Sequence, residues 1–146
     1  MIISGRGVYT GYSELKKIYE NPPENVKFLG IIPRSEMNDM YNMADLLFMP
    51  SYNELFPMSI LEAVNTEKPV LLRNLDLYHD ILFDKYMSGE NNEDFIKMIK
   101  SLKEDEKLYK KGCIYSKEIN EFYSKENVLK IWEDFYVECL NSKSNN

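Results

Sequence analysis

The sequence predicts an α/β fold built on a parallel sheet, and three observations carry that prediction. Short apolar runs at residues 1–4, 26–30, 45–49 and 70–72 alternate with stretches of helical periodicity. Each run stops at a turn signal: Gly5, Gly30, Pro50 and the Arg73-Asn74 pair. Beyond about residue 92 the helical patterns take over. Strands alternating with helices imply right-handed βαβ units, and ligands of such folds sit beyond the carboxyl ends of the strands.

The elements follow in order. Residues 1–4 read as a strand closing on Gly5-Arg6-Gly7, and a strand that starts without lead-in suggests a larger architecture. Leu15, Ile18 and Tyr19 give residues 13–20 helical spacing, which Asn21-Pro22-Pro23 ends. A strand over 26–30 closes on Gly30. Ser35 is a suitable N-cap for a helix whose face is Met37, Met40, Tyr41 and Ala44, a stripe that reads as core. The apolar run 45–49 suits a strand buried on both faces.

Pro57 fits the first turn of a helix reaching about residue 65, because its missing N–H costs nothing there. A buried strand over 70–72 ends at Arg73-Asn74. Residues 77–83 read as a short helix and 86–89 as an extended piece. Asn92 caps a helix bearing Phe95, Ile99 and Leu102. Another runs over 105–122 with Gly112 as its weak point, and Ser124 opens the last, faced by Val128, Ile131, Trp132, Phe135 and Cys139. Trp132 and Phe135 read as core or as a contact to a further domain. The expected organisation is one domain over 1–140, incomplete at its N-terminal edge, and a disordered polar tail over 141–146.

Composition narrows the function. A hydrophobic fraction of 44% supports a packed core, and a net charge of −6 argues against a nucleic-acid partner. No apolar run reaches the roughly 18 residues of a membrane span. Cys113 and Cys139 are too far apart for a metal or disulfide pattern, and with His79 as the one histidine no metal site is expected. His79 reads as a loop residue. Lys97, Lys100, Lys103, Lys110 and Lys111 read as a solvated helical face, balanced by nearby Glu and Asp.

The chemistry concentrates in residues 50–63. Glu54 falls in the turn before the helix and Glu62 inside it, with seven residues between them. The helix start at Pro57 leaves N–H donors at Met58, Ser59 and Ile60 and a positive dipole end, which suits a phosphate. A carboxylate can grip two adjacent hydroxyls. Two carboxylates flanking an anion site therefore suit a diphosphate held between two polyols, as in a nucleotide sugar. Taken alone the spacing is common in helices, and a solvated turn and an exposed helix face account for the same residues. Arg73, and Arg6 no better than a surface arginine, are further candidates for a phosphate.

Residues 26–30, 44–51, the Glu54 to Glu62-Ala63 stretch and Lys68-Pro69-Val70 together resemble the C-terminal domain of glycosyltransferase family 4, the group 1 enzymes. The resemblance covers about residues 1–140. It implies one Rossmann-like half, a parallel sheet with helices on both faces, of a two-Rossmann-domain retaining hexosyltransferase. Glu54 would contact the donor sugar as the catalytic carboxylate. The backbone of Phe56, Pro57, Met58 and Ser59 would meet sugar hydroxyls and diphosphate. Glu62 would hold the ribose, and Gly30 and Ile31 would border the nucleobase. The donor implied is a UDP-hexose, with no cofactor or metal called for by the motif and with an acceptor-binding N-terminal domain as partner.

Asn53 to Met58, Asp76-Leu77-Tyr78, Asp80 to Phe83 and Phe122 to Val128 are also similar to Gram-positive glycolipid glucosyl- and galactosyltransferases. That likeness implies a membrane glycolipid acceptor and a cytoplasmic enzyme, peripheral at the inner face of the plasma membrane. Leu55-Phe56-Pro57 stands where the family has Gly-Phe-Gly, so sugar contacts would differ there. The basic residues that neutralise the diphosphate in that family fall outside these residues, so the chain by itself is expected to be inactive. A sugar-nucleotide epimerase domain and a non-enzymatic doubly wound interaction module remain the alternatives.

Overall fold

A computed structural model describes residues 1–4 and 13–144. The chain divides into two compact units, residues 1–40 and 41–146. In the first, β1 (Ile2–Ser4) pairs in parallel with β2 (Lys27–Gly30), and α1 (Ser13–Glu20) connects them. Tyr19 on α1 packs its ring against Phe28 on β2, centroids 4.9 Å apart. Gly30 closes β2 at φ 68°, a left-handed conformation that favours glycine.

Helix α2 (Arg34–Met43) starts in the first unit, and its residues from Tyr41 belong to the second. Ser35, expected as its N-cap, instead lies in its first turn. The second unit then runs β3 (Leu47–Met49), α3 (Met58–Val64), β4 (Val70–Arg73), α4 (Asp76–Leu82) and β5 (Met87–Gly89). Helices α5 (Asn92–Glu104), α6 (Glu106–Phe122) and α7 (Lys125–Ser144) complete it. The strands form a parallel ladder in the order β3-β4-β5. Each unit thus holds one parallel ladder.

Burial varies along the ladder. All four residues of the central strand β4 are buried, whereas Leu47, Phe48 and Met49 on the edge strand β3 are only half-buried. The expectation of a β3 covered on both faces is corrected accordingly. Leu71, Met87, Phe95 and Leu102 form the core, with Phe48 set edge-on against Phe95. Ile60, Tyr78, Leu82 and Ile119 are also buried.

Helix α6 fixes the amino ends of two strands. The Tyr109 hydroxyl donates to the Asp45 carbonyl at 3.0 Å, ahead of β3, and Ser116 Oγ donates to the Lys68 carbonyl at 2.6 Å, ahead of β4. Gly112 makes this approach possible: a Cβ there would lie 2.7 Å from Pro69 Cβ. The residue that reads as a helix weak point is therefore a packing requirement.

Side-chain caps set the later helices. Asn91, one residue before the expected Asn92, accepts from the Asp94 N–H at 3.0 Å, and Asp105 Oδ1 accepts from Lys107 and Leu108. Ser124 Oγ accepts from the Asn127 N–H at 3.3 Å and opens α7. That helix continues through Ser144, so residues 141–144 are helical rather than an irregular tail. Trp132 and Phe135 are each about half exposed and are not core of the described chain. Among the described residues no helix is long and apolar enough to cross a membrane.

Candidate functional site

The turn from Pro50 to Pro57 leaves the carboxyl end of β3, as the apolar run followed by Pro50 predicts. One side chain anchors it. Arg73, the last residue of β4, is 8% exposed. Its Nε donates to the Pro50 carbonyl at 3.1 Å and its Nη1 donates to the Glu90 carbonyl just beyond β5. The guanidinium also lies 3.9 Å from the centroid of the exposed Tyr52 ring. The sequence places Arg73 among the phosphate-facing candidates; in the structure it ties the ends of three strands together.

Within the turn, Glu54 is half-buried while Leu55, Phe56 and Met58 are exposed. Phe56 rests edge-on against Tyr123, centroids 6.1 Å apart, and the Tyr123 hydroxyl donates to the Ile81 carbonyl at 2.8 Å. Pro57 is buried and serves as N-cap residue of α3 with extended backbone, φ −76° and ψ 99°. The Ile60 N–H donates to the Pro57 carbonyl at 3.0 Å. The donors read from the sequence as facing a ligand thus narrow to the first-turn amides of Met58 and Ser59.

Glu62 follows on α3, half-buried between residues whose side chains are wholly enclosed: Ile60, Ala63 and Val64 are at most 2% exposed. It accepts a hydrogen bond on Oε2 from the Tyr41 hydroxyl of α2 at 3.1 Å. Burial, followed by this bond and the Glu62 charge, pushes the Tyr41 phenol up to about 12.

A second tyrosine senses the other carboxylate. Tyr78 on α4 is fully buried, and its hydroxyl has no hydrogen-bond partner among the described residues. Burial foremost, and then the charge of Glu54, push its phenol up to about 12. Sequence reasoning counted Tyr41 as core and overlooked Tyr78. The available signal was a hydroxyl within an apolar stripe, which needs a partner once buried.

Gly30 and Ile31 belong to the first unit, and Arg6 falls outside the described residues. His79 is on α4 rather than in a loop, exposed, with Nδ1 hydrogen-bonded to Asp84. A cavity of about 400 Å³ opens beside Asn74, Gly89, Glu90 and Asp94, and neither Glu54 nor Glu62 lines it. Among the described residues no three His, Cys, Asp or Glu side chains group so as to hold a metal ion.

Residues 1–119 match the family described as Glycosyl transferases group 1. The chain is 43% identical over 130 residues to an alpha-galactosylglucosyldiacylglycerol synthase of Streptococcus pneumoniae (strain ATCC BAA-255 / R6), covering 89% of this chain and 35% of that protein. It is 35% identical over 95 residues to a processive diacylglycerol alpha-glucosyltransferase of Acholeplasma laidlawii, covering 63% of this chain and 29% of that one. The chain therefore spans about a third of the length of these curated relatives. A solved structure titled "Crystal structure of GtfA/B complex" superposes with a TM-score of 0.73 at 17% identity, over 94% of this chain and 29% of the other, and so shares the Rossmann-like fold. With the family matched over most of its length, the chain belongs to the group 1 glycosyltransferases.

Proposed function

We propose that this chain is the nucleotide-sugar-binding part of a retaining hexosyltransferase. It moves glucose or galactose from a UDP-sugar to a hydroxyl of a diacylglycerol glycolipid at the inner face of the plasma membrane. The observation that carries the reading is the disposition of Glu54 and Glu62 on either side of the α3 start, beyond the carboxyl end of β3, in a member of this family. The names of the two curated relatives support the glycolipid acceptor.

In this reading Glu54 contacts the transferred sugar and stabilises the positive charge that develops as the leaving group departs. It acts by position and charge rather than by forming a covalent glycosyl bond. The first-turn amides of Met58 and Ser59 face the diphosphate, and Phe56 and Pro57 shape the turn around the sugar. Glu62 accepts from the ribose hydroxyls. Leu55 and Pro57 leave the turn less freedom than glycines would, so the sugar meets a fixed surface there.

Two measurements test this. Calorimetric titration of the chain with UDP, UDP-glucose and UDP-galactose is expected to show binding that Glu62→Gln weakens. Glu54→Gln, in the enzyme that carries this chain, is expected to lower kcat at least a hundredfold with the fold intact. Unchanged turnover would remove Glu54 from the reaction, and transfer without any nucleotide sugar would remove the donor class.

A further inference from the structure

The Tyr41 hydroxyl and the Glu62 carboxylate come from segments 21 residues apart and meet at 3.1 Å. Packing alone does not require that hydroxyl. A phenylalanine would fill the same buried space on the α2 stripe, since Tyr41 is only 8% exposed. What the hydroxyl adds is a donor, and its partner is one of the two glutamates that bracket the start of α3.

We propose that Tyr41 is a positioning residue: its hydroxyl fixes the plane of the Glu62 carboxylate so that it receives two neighbouring ribose hydroxyls of the nucleotide. The inference rests on the donor-binding reading of Glu62 given above. The α3 backbone is already fixed by the burial of Ile60, Ala63 and Val64. The remaining freedom of Glu62 is rotation about its own side-chain bonds, costly to freeze at the moment of binding. Tyrosine has two rotatable bonds and a rigid ring, so it holds an oxygen in place at little entropic cost of its own.

The lone pairs divide accordingly. A carboxylate offers about four acceptor directions, and Tyr41 takes one of them on Oε2. Among the described residues, Oε1 and the second direction of Oε2 stay available, enough for two hydroxyls. The phenol, pushed up to about 12, keeps its proton through the working range and donates a hydrogen bond to the Glu62 oxygen. Glu62 is thereby held as an oriented acceptor.

The experiment is a double-mutant cycle, Tyr41→Phe and Glu62→Gln, in the enzyme that carries this chain, with UDP-glucose and UDP-galactose as donors. Tyr41→Phe is expected to raise the donor KM roughly fivefold to tenfold with kcat unchanged, the loss of about one hydrogen bond of preorganisation. It is expected to add little in the Glu62→Gln background. If Glu62→Gln raises KM and Tyr41→Phe does not, the Tyr41 inference falls and the reading of Glu62 stands. If neither changes KM, the reading of Glu62 falls and takes this one with it. Additive effects would make Tyr41 a packing residue only. Should Tyr41→Phe fail to fold, the wild-type carbon resonance of the Tyr41 ring at Cζ is followed during UDP titration; a resonance that stays put at saturation overturns the proposal.

Discussion

Arg73 Nε donates to the Pro50 carbonyl at 3.1 Å, so the end of the central strand holds the first residue of the turn that carries Glu54. The same guanidinium reaches the Glu90 carbonyl after β5. A planar group with donors on several edges can serve both carbonyls at once, which a single ammonium cannot. Arg73→Met keeps the buried stem and leaves both carbonyls without this donor. A loss of roughly 2–4 kcal/mol is expected, read as a lower urea midpoint. Arg73→Lys should recover only part of it. An unchanged midpoint in both variants would mean that the two bonds do not hold the turn.

Gly112 gives a packing test remote from the site. A Cβ at this position would stand 2.7 Å from Pro69 Cβ and 3.0 Å from its Cγ, both in a rigid ring. Gly112→Ala gains up to about 1 kcal/mol of helix propensity. It also forces α6 away from the loop before β4, an overpacking cost of roughly 1–3 kcal/mol. Net destabilisation is expected in thermal unfolding, whereas a higher midpoint would show that the loop yields easily.

The tyrosines beside the two glutamates predict an alkaline transition. Tyr41 and Tyr78 are both pushed from the ordinary 10.0 up to about 12, by burial first and then by Glu62 and Glu54 respectively. The folded chain holds these protons more tightly than the unfolded chain. Their contribution to stability is therefore complete below pH 10.0 and declines as the pH rises towards about 12. Urea midpoints should fall as the pH rises from 10.0 to about 12. The fall should be shallower in the double variant Tyr41→Phe, Tyr78→Phe. An equal fall in wild type and variant would assign it to other groups.

His79 supplies a titration above the ordinary imidazole range. Its hydrogen bond to Asp84, aided by the charges of Asp84, Asp76 and Asp80, raises its pKa above 6.5 despite the opposing effect of desolvation. The stabilisation from this pair is present below pH 6.5 and is lost as the pH rises through the folded-state value. The imidazole proton resonance should titrate above the ordinary range and move down in Asp84→Asn. Because the pair is exposed, only a small effect on the unfolding midpoint is expected.

Local pattern made much of the fold legible. A stripe such as Phe95, Ile99 and Leu102 can only be a helix face, and the apolar run closed by Pro50 can only leave the sheet there. Some helix starts were legible to within a residue, because capping chemistry is local; Asn91 rather than Asn92 caps α5, since its side chain is the one that reaches the Asp94 amide. The glutamate pair was visible for the same reason, as both residues sit in one continuous stretch.

The sequence by itself thus determined the alternation of strands and helices, the place of the Glu54 turn after β3, and the family likeness. Tertiary structure alone decided what those residues touch. Arg73 reads as a strand-end cation, and its use depends on carbonyls 23 residues before it and 17 after it. Tyr41 reads as one more core position until α3 brings Glu62 to its hydroxyl. Hydrophobic periodicity reports which face of an element is buried, but a hydrogen bond between distant segments depends on distances of a few tenths of an ångström, which only the packed chain sets.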